Sequence, residues 1–456
     1  MRDTIGELLT KYDRRVPRYT SYPTAPHFGP AVGAEVYGRW LAALDPAAPL
    51  SLYVHIPFCD SLCLFCGCHT KIVRRHRPVA QYLEVLGREI GLVAQALGPR
   101  RRVCHLHFGG GTPTILAPDE IATLFAGLRA RFDILAEADI AVEIDPRDLD
   151  PAVIPALAAG GVTRASVGLQ DLNLRVQEAV NRVQSYEETS AVIEGLRAAG
   201  IDSINIDLMY GLPHQDVAGV TATVERALQL TPDRLCLFGY AHVPWMKRHQ
   251  RLIDEAALAG PEGRFAQYMA AAEHLTGAGY QWIGLDHFAR PDDALAVAAR
   301  EGRLRRNFQG YTTDGADARV GFGPSAIGVM PQGFIQNATA MHDYRDAVTR
   351  GALPIVRGRR LEGDDRMRAW IIERLMCDLR ADLGRIATAF GASAAQFAPE
   401  VAALEDLRVD GLVELETGIQ GPIVRITEKG RPFARAACAV FDRYLNPGET
   451  RHAHAV

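Results

Sequence analysis

The chain has 456 residues, of which 48% are hydrophobic and 23% are charged, a composition typical of ordinary globular proteins. Fifty basic and fifty-four acidic side chains give a formal charge of −4, which argues against a dedicated nucleic-acid-binding protein with its basic excess. No apolar run reaches the roughly eighteen residues of a membrane span, and the N-terminus lacks the apolar core of a signal peptide. We therefore expect a cytoplasmic protein of two or three domains, without a nucleic-acid partner.

The first 50 residues are rich in proline and aromatic residues, as in PRYTSYPTAPHFGP. This composition predicts an extended, partly irregular N-terminal arm over residues 1–50 rather than a domain. We expect the arm to fold over the mouth of the domain that follows it, as a lid.

From residue 51, strand candidates alternate with helical stretches. One such stretch places Leu83, Leu86, Ile90, Val93 and Leu97 on one helical face. The alternation predicts right-handed βαβ units and a parallel sheet, here a partial (β/α)6 barrel within residues 51–360 of an α/β protein. The six strand candidates are 51–58, 104–108, 138–145, 163–170, 202–211 and 234–243.

The chain beyond the sixth strand changes character twice. The glycine-rich segment GFGPSAIG (321–328) is expected to extend or cap the barrel. From residue 361, an apolar row at Met367, Ile371 and Leu375 predicts a helix, with Asp364 available as its N-terminal cap. The later segments LRVDGLVELE, IVRITEKG and RPFARAACAVFDRYL predict a helix end, two strands and a final helix. Residues 361–456 are therefore predicted to form a smaller, mainly helical α+β domain that resembles a winged helix. Its acidic residues argue against DNA binding.

Four of the eight cysteines, Cys59, Cys63, Cys66 and Cys68, fall within ten residues. In a reducing compartment such a group indicates metal binding or redox chemistry rather than disulfides. The spacing of the first three places three soft thiolate ligands on one short loop, which can hold three corners of a [4Fe–4S] cluster and leave its fourth iron open to a non-protein ligand. The remaining cysteines, which are scattered along the chain, are expected to be small core residues: Cys104, Cys236, Cys377 and Cys438.

Zinc is the alternative occupant of this loop. Cys68 or His69 could supply a fourth ligand, so counting ligands leaves zinc open. Structural zinc sites usually combine two separated ligand pairs, however, and no second pair lies at a suitable distance in this sequence.

Polar residues recur where later strands are predicted to end. A glycine run and Thr112 follow the second strand, Glu143 ends the third, Gln170 ends the fourth, and Asp207 lies near the end of the fifth. Parallel α/β barrels place their chemistry at the carboxyl ends of their strands. Together with the cysteine loop after the first strand, these positions predict a single concave site.

The motif CDSLCLFC resembles the CxxxCxxC motif of radical S-adenosylmethionine (SAM) enzymes. The wider pattern is similar to the oxygen-independent coproporphyrinogen III oxidases, the anaerobic enzymes of heme synthesis. The CGC extension, the N-terminal arm and NFQGYTT favour this family within the superfamily. The similar segments include PRYTSYPTAPHF, YVHIPFCDSLCLFCGC, LHFGGGTPT, EIDPRDL, SVGLQDLN and INIDLMYGLPHQ.

The resemblance implies a [4Fe–4S] cluster held by Cys59, Cys63 and Cys66, with Cys68 as an extra cysteine that is not a ligand. It also implies two SAM molecules, a 5′-deoxyadenosyl radical, and conversion of coproporphyrinogen III to protoporphyrinogen IX by a monomer with an unidentified electron donor. Tyr53 and Glu143 would act with the three cysteines in catalysis. The cluster-bound SAM would be held by Tyr53, Gly110, Glu143 and Ile327. The second SAM would be held by Phe65, Gly111, Thr112, Gln170, Arg182, Asp207 and Ala241.

A tetra-anionic substrate needs local cationic partners, because the net charge of −4 gives no global attraction. Two other functions stay open: a heme chaperone of the same superfamily, which binds heme without turnover, and a different radical enzyme such as a methylase. The candidate partners of the propionates are Lys71, Arg74, Arg75 and Arg77 beside the cysteine loop, Arg303, Arg305 and Arg306, and Arg15 or Arg18 in the arm.

Overall fold

A computed structural model describes residues 5–445. Residues 1–4 of the predicted arm and 446–456 of the predicted C-terminal domain lie outside this range. The strands are β1 (Leu50–Ile56), β2 (Phe58–Cys59), β3 (Lys71–Ile72), β4 (Arg101–Gly110), β5 (Phe132–Ile144), β6 (Arg164–Gln170), β7 (Ser203–Tyr210), β8 (Arg234–Gly239), β9 (Gln281–Ile283), β10 (His287–Ala289), β11 (Arg305–Asn307), β12 (Gly310–Thr312), β13 (Arg319–Phe322), β14 (Ile327–Met330), β15 (Gly333–Asn337), β16 (Ile355–Arg360), β17 (Arg380–Asp382), β18 (Val413–Thr417) and β19 (Pro422–Ile426).

The helices alternate with the strands of the sheet up to β8. They are α1 (Ile5–Tyr12), α2 (Ala34–Ala42), α3 (Arg77–Leu97), α4 (Pro118–Arg131), α5 (Val153–Gly160), α6 (Leu174–Ala179), α7 (Tyr186–Ala198), α8 (Val217–Gln229), α9 (Pro261–Gly277), α10 (Ala294–Arg300), α11 (Met341–Thr349), α12 (Asp365–Asp378), α13 (Leu383–Ala389), α14 (Ala398–Ala403), α15 (Glu405–Val409) and α16 (Ala434–Val440). None of the helices within the described range is long and apolar enough to cross a bilayer.

The central sheet contains the six predicted parallel strands, β1, β4, β5, β6, β7 and β8, side by side in chain order. The glycine-rich segment extends this sheet as predicted, because β13 pairs in parallel with β1. Antiparallel strands β14, β15 and β16 continue that edge, and β10 and β9 continue the other. The prediction of an α/β partial barrel is confirmed.

The strands of the barrel separate apolar from polar side chains with a period of two. In β1, Leu52, Val54 and Ile56 are at most 1% exposed and belong to the large apolar core. In β7, the alternate residues Asn205 and Asp207 line a cavity inside the barrel. Because successive side chains on a strand point to opposite faces, the same strands pack against helices on one side and carry polar groups on the other.

The prediction that the arm is extended and irregular is wrong for two segments, which form α1 and α2. In α1, Leu8 and Tyr12 are buried among apolar residues of the C-terminal region. In α2, Tyr37, Trp40 and Leu41 are buried against the barrel core. Spacings of three and four residues place each group on one helical face. Packing of these apolar helix faces against the rest of the protein therefore stabilises α1 and α2. The proline-rich composition of the arm did not predict them.

The C-terminal region forms a second apolar core around α12, and the predicted row Met367, Ile371 and Leu375 is buried in it. Asp364 occupies the N-cap position of α12 as predicted, but its side chain makes no capping bond: the carboxylate accepts from Arg368 Nε at 2.6 Å and from Arg443 rather than from a backbone N–H. The predicted order of helix, strand, strand and helix is found as α15, β18, β19 and α16. The division into these three domains stays a prediction.

Candidate active site at the carboxyl ends of the strands

The cysteine loop begins directly after β1, where β2 pairs with β3. Its three motif cysteines line a cavity of about 160 Å³, which we call the cysteine cavity. Strand ends from β4 to β7 complete its wall, so the structure brings the predicted strand-end residues together in one place. Those that line the cavity are Gly110, Gly111, Glu143, Gln170 and Asp207, together with Phe65, Cys68 and Arg182.

The loop thiols occupy different electrostatic surroundings. Burial raises the pKa of the Cys59 thiol to about 12. A hydrogen bond from the Cys68 thiol, helped by the Cys68 backbone N–H at 3.4 Å, lowers the pKa of Cys66 to about 6. Cys63 Sγ accepts from Arg147 Nη2 at 3.4 Å and from Arg182 Nη1 at 3.5 Å. Cationic and N–H donors stabilise thiolates, the form in which cysteine binds metal.

The sulfur atoms of the cysteine loop are not drawn together as the ligands of a single zinc ion would be. Tetrahedral zinc with bonds of about 2.3 Å draws its thiolates to within about 4 Å of one another. Among residues 5–445, the one group of three metal-binding side chains with ligand atoms all within 4.8 Å of each other is Cys104, His105 and Asp314, far from the loop in sequence. The three loop sulfurs are therefore not all within 4.8 Å of one another. Three thiolates on one loop could hold three corners of a [4Fe–4S] cluster and leave its fourth iron open.

Asp145 and Arg147 are site residues that sequence analysis missed. The Asp145 carboxylate accepts from Arg147 Nη2 at 2.6 Å and from Arg182 Nη1 at 2.9 Å, and both arginines also contact Cys63 Sγ. Burial opposes ionisation, but the two arginines hold the pKa of Asp145 below its usual value. A signal was present in the sequence, since Asp145 lies two residues after Glu143 and shares its side of the strand.

The glycine turn after β4 allows the cysteine loop to approach the barrel. Gly110 has a φ of +120°, and a Cβ there would lie 2.7 Å from His55 Nδ1. Gly111 donates its N–H to Ile56 O at 2.8 Å, and a Cβ there would lie 2.2 Å from Phe58 O. Side chains at these two positions would force apart the ends of β1 and β4.

Glu143 is held as a carboxylate facing both the cysteine cavity and the barrel interior. His107 Nε2 donates to Oε1 at 2.9 Å, and the Gly110 backbone N–H donates to Oε2 at 3.1 Å. Burial raises the pKa of Glu143, but these donors outweigh it and the net shift is downward. The arrangement leaves an anionic acceptor suited to an ammonium or hydroxyl group.

Tyr53 lies on β1 beside this carboxylate but does not line the cysteine cavity. Its hydroxyl donates to His55 Nδ1 at 2.9 Å, because His55 Nε2 donates to the carbonyl of His69 at 2.9 Å. Burial lowers the pKa of His55, which keeps the ring neutral. The Tyr53 ring also packs 5.8 Å from that of His107, the donor to Glu143.

Asp207 and Gln170 complete the far wall. Asp207 accepts from Ser166 Oγ at 3.0 Å and from Asn205 Nδ2 at 2.8 Å, while burial raises its pKa. Gln170 has a φ of +66° next to a register irregularity in β6 that turns the end of the strand. A β-bulge of this kind re-aims the side chain that follows it.

The other predicted site residues lie outside the cysteine cavity. Thr112 is buried, and its hydroxyl accepts from the Asp145 N–H at 3.3 Å. Ala241 follows β8, and its carbonyl accepts from Gln250 Nε2 at 3.2 Å. Ile327 begins β14 beside Gly321, the β13 partner of Tyr53. The binding roles of all these residues stay predictions.

Two further cavities lie against strands of the barrel. One of about 270 Å³ fills the barrel interior and shares Cys68, Glu143, Ser166 and Asp207 with the cysteine cavity. The other, of about 540 Å³, lies between the end of β8, the N-terminal arm and the C-terminal region. The arm residues Arg15 and Arg18 line this larger cavity, so the arm forms part of its wall.

The remaining sequence candidates divide by position. Cys236, Cys377 and Cys438 are buried as expected, whereas Cys104 is half-buried beside His105. Of the candidates Arg303, Arg305 and Arg306, only Arg306 lines one of these cavities. Arg303 pairs with Glu301 and Arg305 with Glu373. The basic residues that follow the cysteine loop line none of the three cavities: Lys71, Arg74, Arg75 and Arg77.

Comparison with known proteins gives consistent matches. Residues 53–227 match the radical SAM superfamily. The oxygen-independent coproporphyrinogen III oxidase of Bradyrhizobium diazoefficiens is 50% identical over 452 residues, 99% of this chain and all of that protein. The Escherichia coli K12 enzyme of the same name is 43% identical over 440 residues, 96% of this chain and 95% of its own. The solved structure of coproporphyrinogen III oxidase (HemN) from Escherichia coli superposes with a TM-score of 0.89 at 41% identity, over 95% of this chain and all of that one.

Proposed function

The chain belongs to the family of oxygen-independent coproporphyrinogen III oxidases, and from this premise we propose that it oxidatively decarboxylates coproporphyrinogen III to protoporphyrinogen IX in heme biosynthesis. Membership of the radical SAM superfamily implies a [4Fe–4S] cluster and SAM. The observation that carries the proposal is one cavity lined both by the three motif cysteines and by the strand-end polar groups. The near full-length identity to the oxidases selects this chemistry among radical SAM reactions.

Different residues of the cysteine cavity would hold the cluster and the SAM cosubstrate. When bound, the cluster and SAM supply a 5′-deoxyadenosyl radical able to remove hydrogen from an unactivated carbon. Cys59, Cys63 and Cys66 would hold the cluster. Glu143, fixed by His107 and Gly110, offers an anionic acceptor to the amino or hydroxyl groups of the cosubstrate.

Two SAM molecules are part of the proposal. The first would contact Tyr53, Gly110, Glu143 and Ile327. Support for the second comes from a charged set that the first does not use. Arg182 carries a buried Nε without a hydrogen-bond partner among residues 5–445, and Asp207 offers a carboxylate. The second molecule would contact Phe65, Gly111, Thr112, Gln170, Arg182, Asp207 and Ala241.

We further propose that the enzyme acts as a monomer in the cytoplasm, where the eight free cysteines stay reduced. Each converted propionate loses carbon dioxide, one hydrogen atom and one electron and becomes a vinyl group. The reaction therefore needs a one-electron donor for the cluster and an acceptor for the substrate electron.

Anaerobic turnover tests the proposal against the heme chaperone of the same superfamily. The reconstituted protein is incubated with coproporphyrinogen III, SAM and a chemical reductant, and products are separated by chromatography. We expect protoporphyrinogen IX together with methionine and 5′-deoxyadenosine. Tight heme binding with unconsumed coproporphyrinogen would favour the chaperone, and a methylated product would favour a methylase.

A further inference from the structure

The cavity of about 540 Å³ at the end of β8 concentrates positive charge. Five arginines line it, against the acids Asp13, Glu255 and Asp286. Glu255 is already hydrogen-bonded to His242 at 3.0 Å, and Asp286 to His287 at 2.8 Å. We call this space the arginine cavity. The arginines come from the arm, from α9, from β11 and from α16: Arg15, Arg18, Arg264, Arg306 and Arg435.

Backbone carbonyls orient three of these guanidinium groups, and each of these bonds uses only one guanidinium nitrogen. Arg18 Nη2 donates to Gly239 O at 3.0 Å, Arg264 Nη1 to Tyr240 O at 2.8 Å, and Arg306 Nη2 to Arg18 O at 3.2 Å. The Nε and Nη1 atoms of Arg306 are buried and have no hydrogen-bond partner among residues 5–445. A buried charged donor without a partner costs free energy, so an anion at this place would be stabilising.

The positive charges of the arginines that line the cavity repel one another. Burial, together with the positive charge of Arg18, lowers the pKa of Arg435 to about 10. The rest of the wall is apolar or aromatic, including Tyr210, Tyr240 and Trp245. A ligand that fits both features is a largely apolar molecule that carries several carboxylates.

The cavity is also mechanically linked to the cysteine loop. Gln250, which is fully buried, donates from Nε2 to Phe65 O at 3.1 Å and to Ala241 O at 3.2 Å. His249 Nε2 donates to Cys66 O at 2.8 Å, and Lys247 Nζ donates to Cys68 O at 2.8 Å. The connection between β8 and α9 therefore lines part of the arginine cavity and, through other residues of its own, also binds the loop of the cluster cysteines.

We propose that the arginine cavity is the subsite that binds the non-reacting propionate carboxylates of the tetrapyrrole, an inference that rests on the proposed function. Arg264 and Arg306 make the decisive contacts, with Arg18 closing the subsite from the arm. The bidentate geometry of arginine matches a carboxylate. The volume lies within the range of small-molecule sites, which is about 300–1,000 Å³.

The test compares Arg264→Gln and Arg306→Gln with Arg303→Gln in the reconstituted enzyme. Arg303 is three residues from Arg306 but is 62% exposed and bound to Glu301, so it serves as the matched control. We expect the first two substitutions to raise KM for coproporphyrinogen III about tenfold or more. Iron content and SAM cleavage without substrate should be unchanged. The control should resemble the wild type.

Direct binding separates this inference from the proposed function. Coproporphyrin III, the oxidised tetracarboxylate, is titrated by fluorescence into each holoenzyme, with its tetramethyl ester as the uncharged probe. We expect weaker coproporphyrin binding in both cavity variants and weak, equal ester binding in all proteins. Wild-type turnover with unchanged KM and Kd in Arg264→Gln would overturn the subsite. Arginine-dependent binding without turnover in the wild type would retain the subsite and reject the oxidase. If Arg306→Gln fails to fold, Arg264→Gln alone decides the outcome.

Discussion

Replacing Gly111 by alanine tests the close approach between the cysteine loop and the end of β4. The new Cβ would lie 2.2 Å from Phe58 O and 2.7 Å from Phe58 C, so the backbone before Cys59 must move by about 1 Å to reach ordinary contact. That movement also strains the Thr112 N–H bond to Phe58 O, now 2.8 Å long. Overpacking costs about 1–3 kcal/mol and a weakened hydrogen bond about 1 kcal/mol more, which gives an expected destabilisation of about 2–4 kcal/mol.

The assay follows urea unfolding together with iron bound per chain and SAM affinity after anaerobic reconstitution. The matched control is Gly127→Ala, because Gly127 lies on the exposed face of α4 with no atom within 4 Å of its new Cβ. Alanine in a helix is favoured over glycine by about 0.5–1 kcal/mol, so the control should be slightly more stable. A Gly111→Ala protein with wild-type stability, iron content and SAM affinity would refute the reasoning.

Two other predictions concern the loop cysteines and the buried carboxyl group of Glu89 on α3. Cys66→Ser should abolish iron binding, whereas Cys68→Ser should retain most of it; loss of iron only in the second variant would reverse the ligand assignment. Burial raises the pKa of Glu89 to about 7 from 4.5, so its contribution to stability is full below pH 4.5 and is lost as the pH rises through 7. Unfolding free energy measured from pH 5 to 8 should fall by about 3 kcal/mol more in the wild type than in Glu89→Gln. The exposed neighbour provides the control, since Glu84→Gln should keep the wild-type pH dependence, and equal slopes in all three proteins would contradict the assignment.

Much of the site could be predicted from the sequence because parallel strands end at one edge of a sheet. Glu143 and Asp207 are 64 positions apart in a chain whose strand periodicity places both at strand ends, and the structure brings both to the cysteine cavity. The glycine run was equally visible, since close backbone contact demands residues without a side chain.

The parts that the sequence did not reveal depend on contacts between distant segments. Arg147 and Arg182 meet through Asp145 only because two loops cross beside Cys63. The arginine cavity gathers side chains from the arm, the barrel and the C-terminal region, and no local pattern reports their meeting. Arg305 and Arg306 are neighbours, yet strand alternation in β11 sends the first to Glu373 and the second into the cavity.

The most direct test of the account is electron–nuclear double resonance on the anaerobically reduced protein with SAM labelled with ¹⁵N at its amino group. The account predicts a [4Fe–4S] signal that changes on addition of SAM and couples to the labelled nitrogen, because three cysteines leave one iron open. A zinc-containing protein without iron, or a cluster signal that is identical with and without SAM, would contradict it.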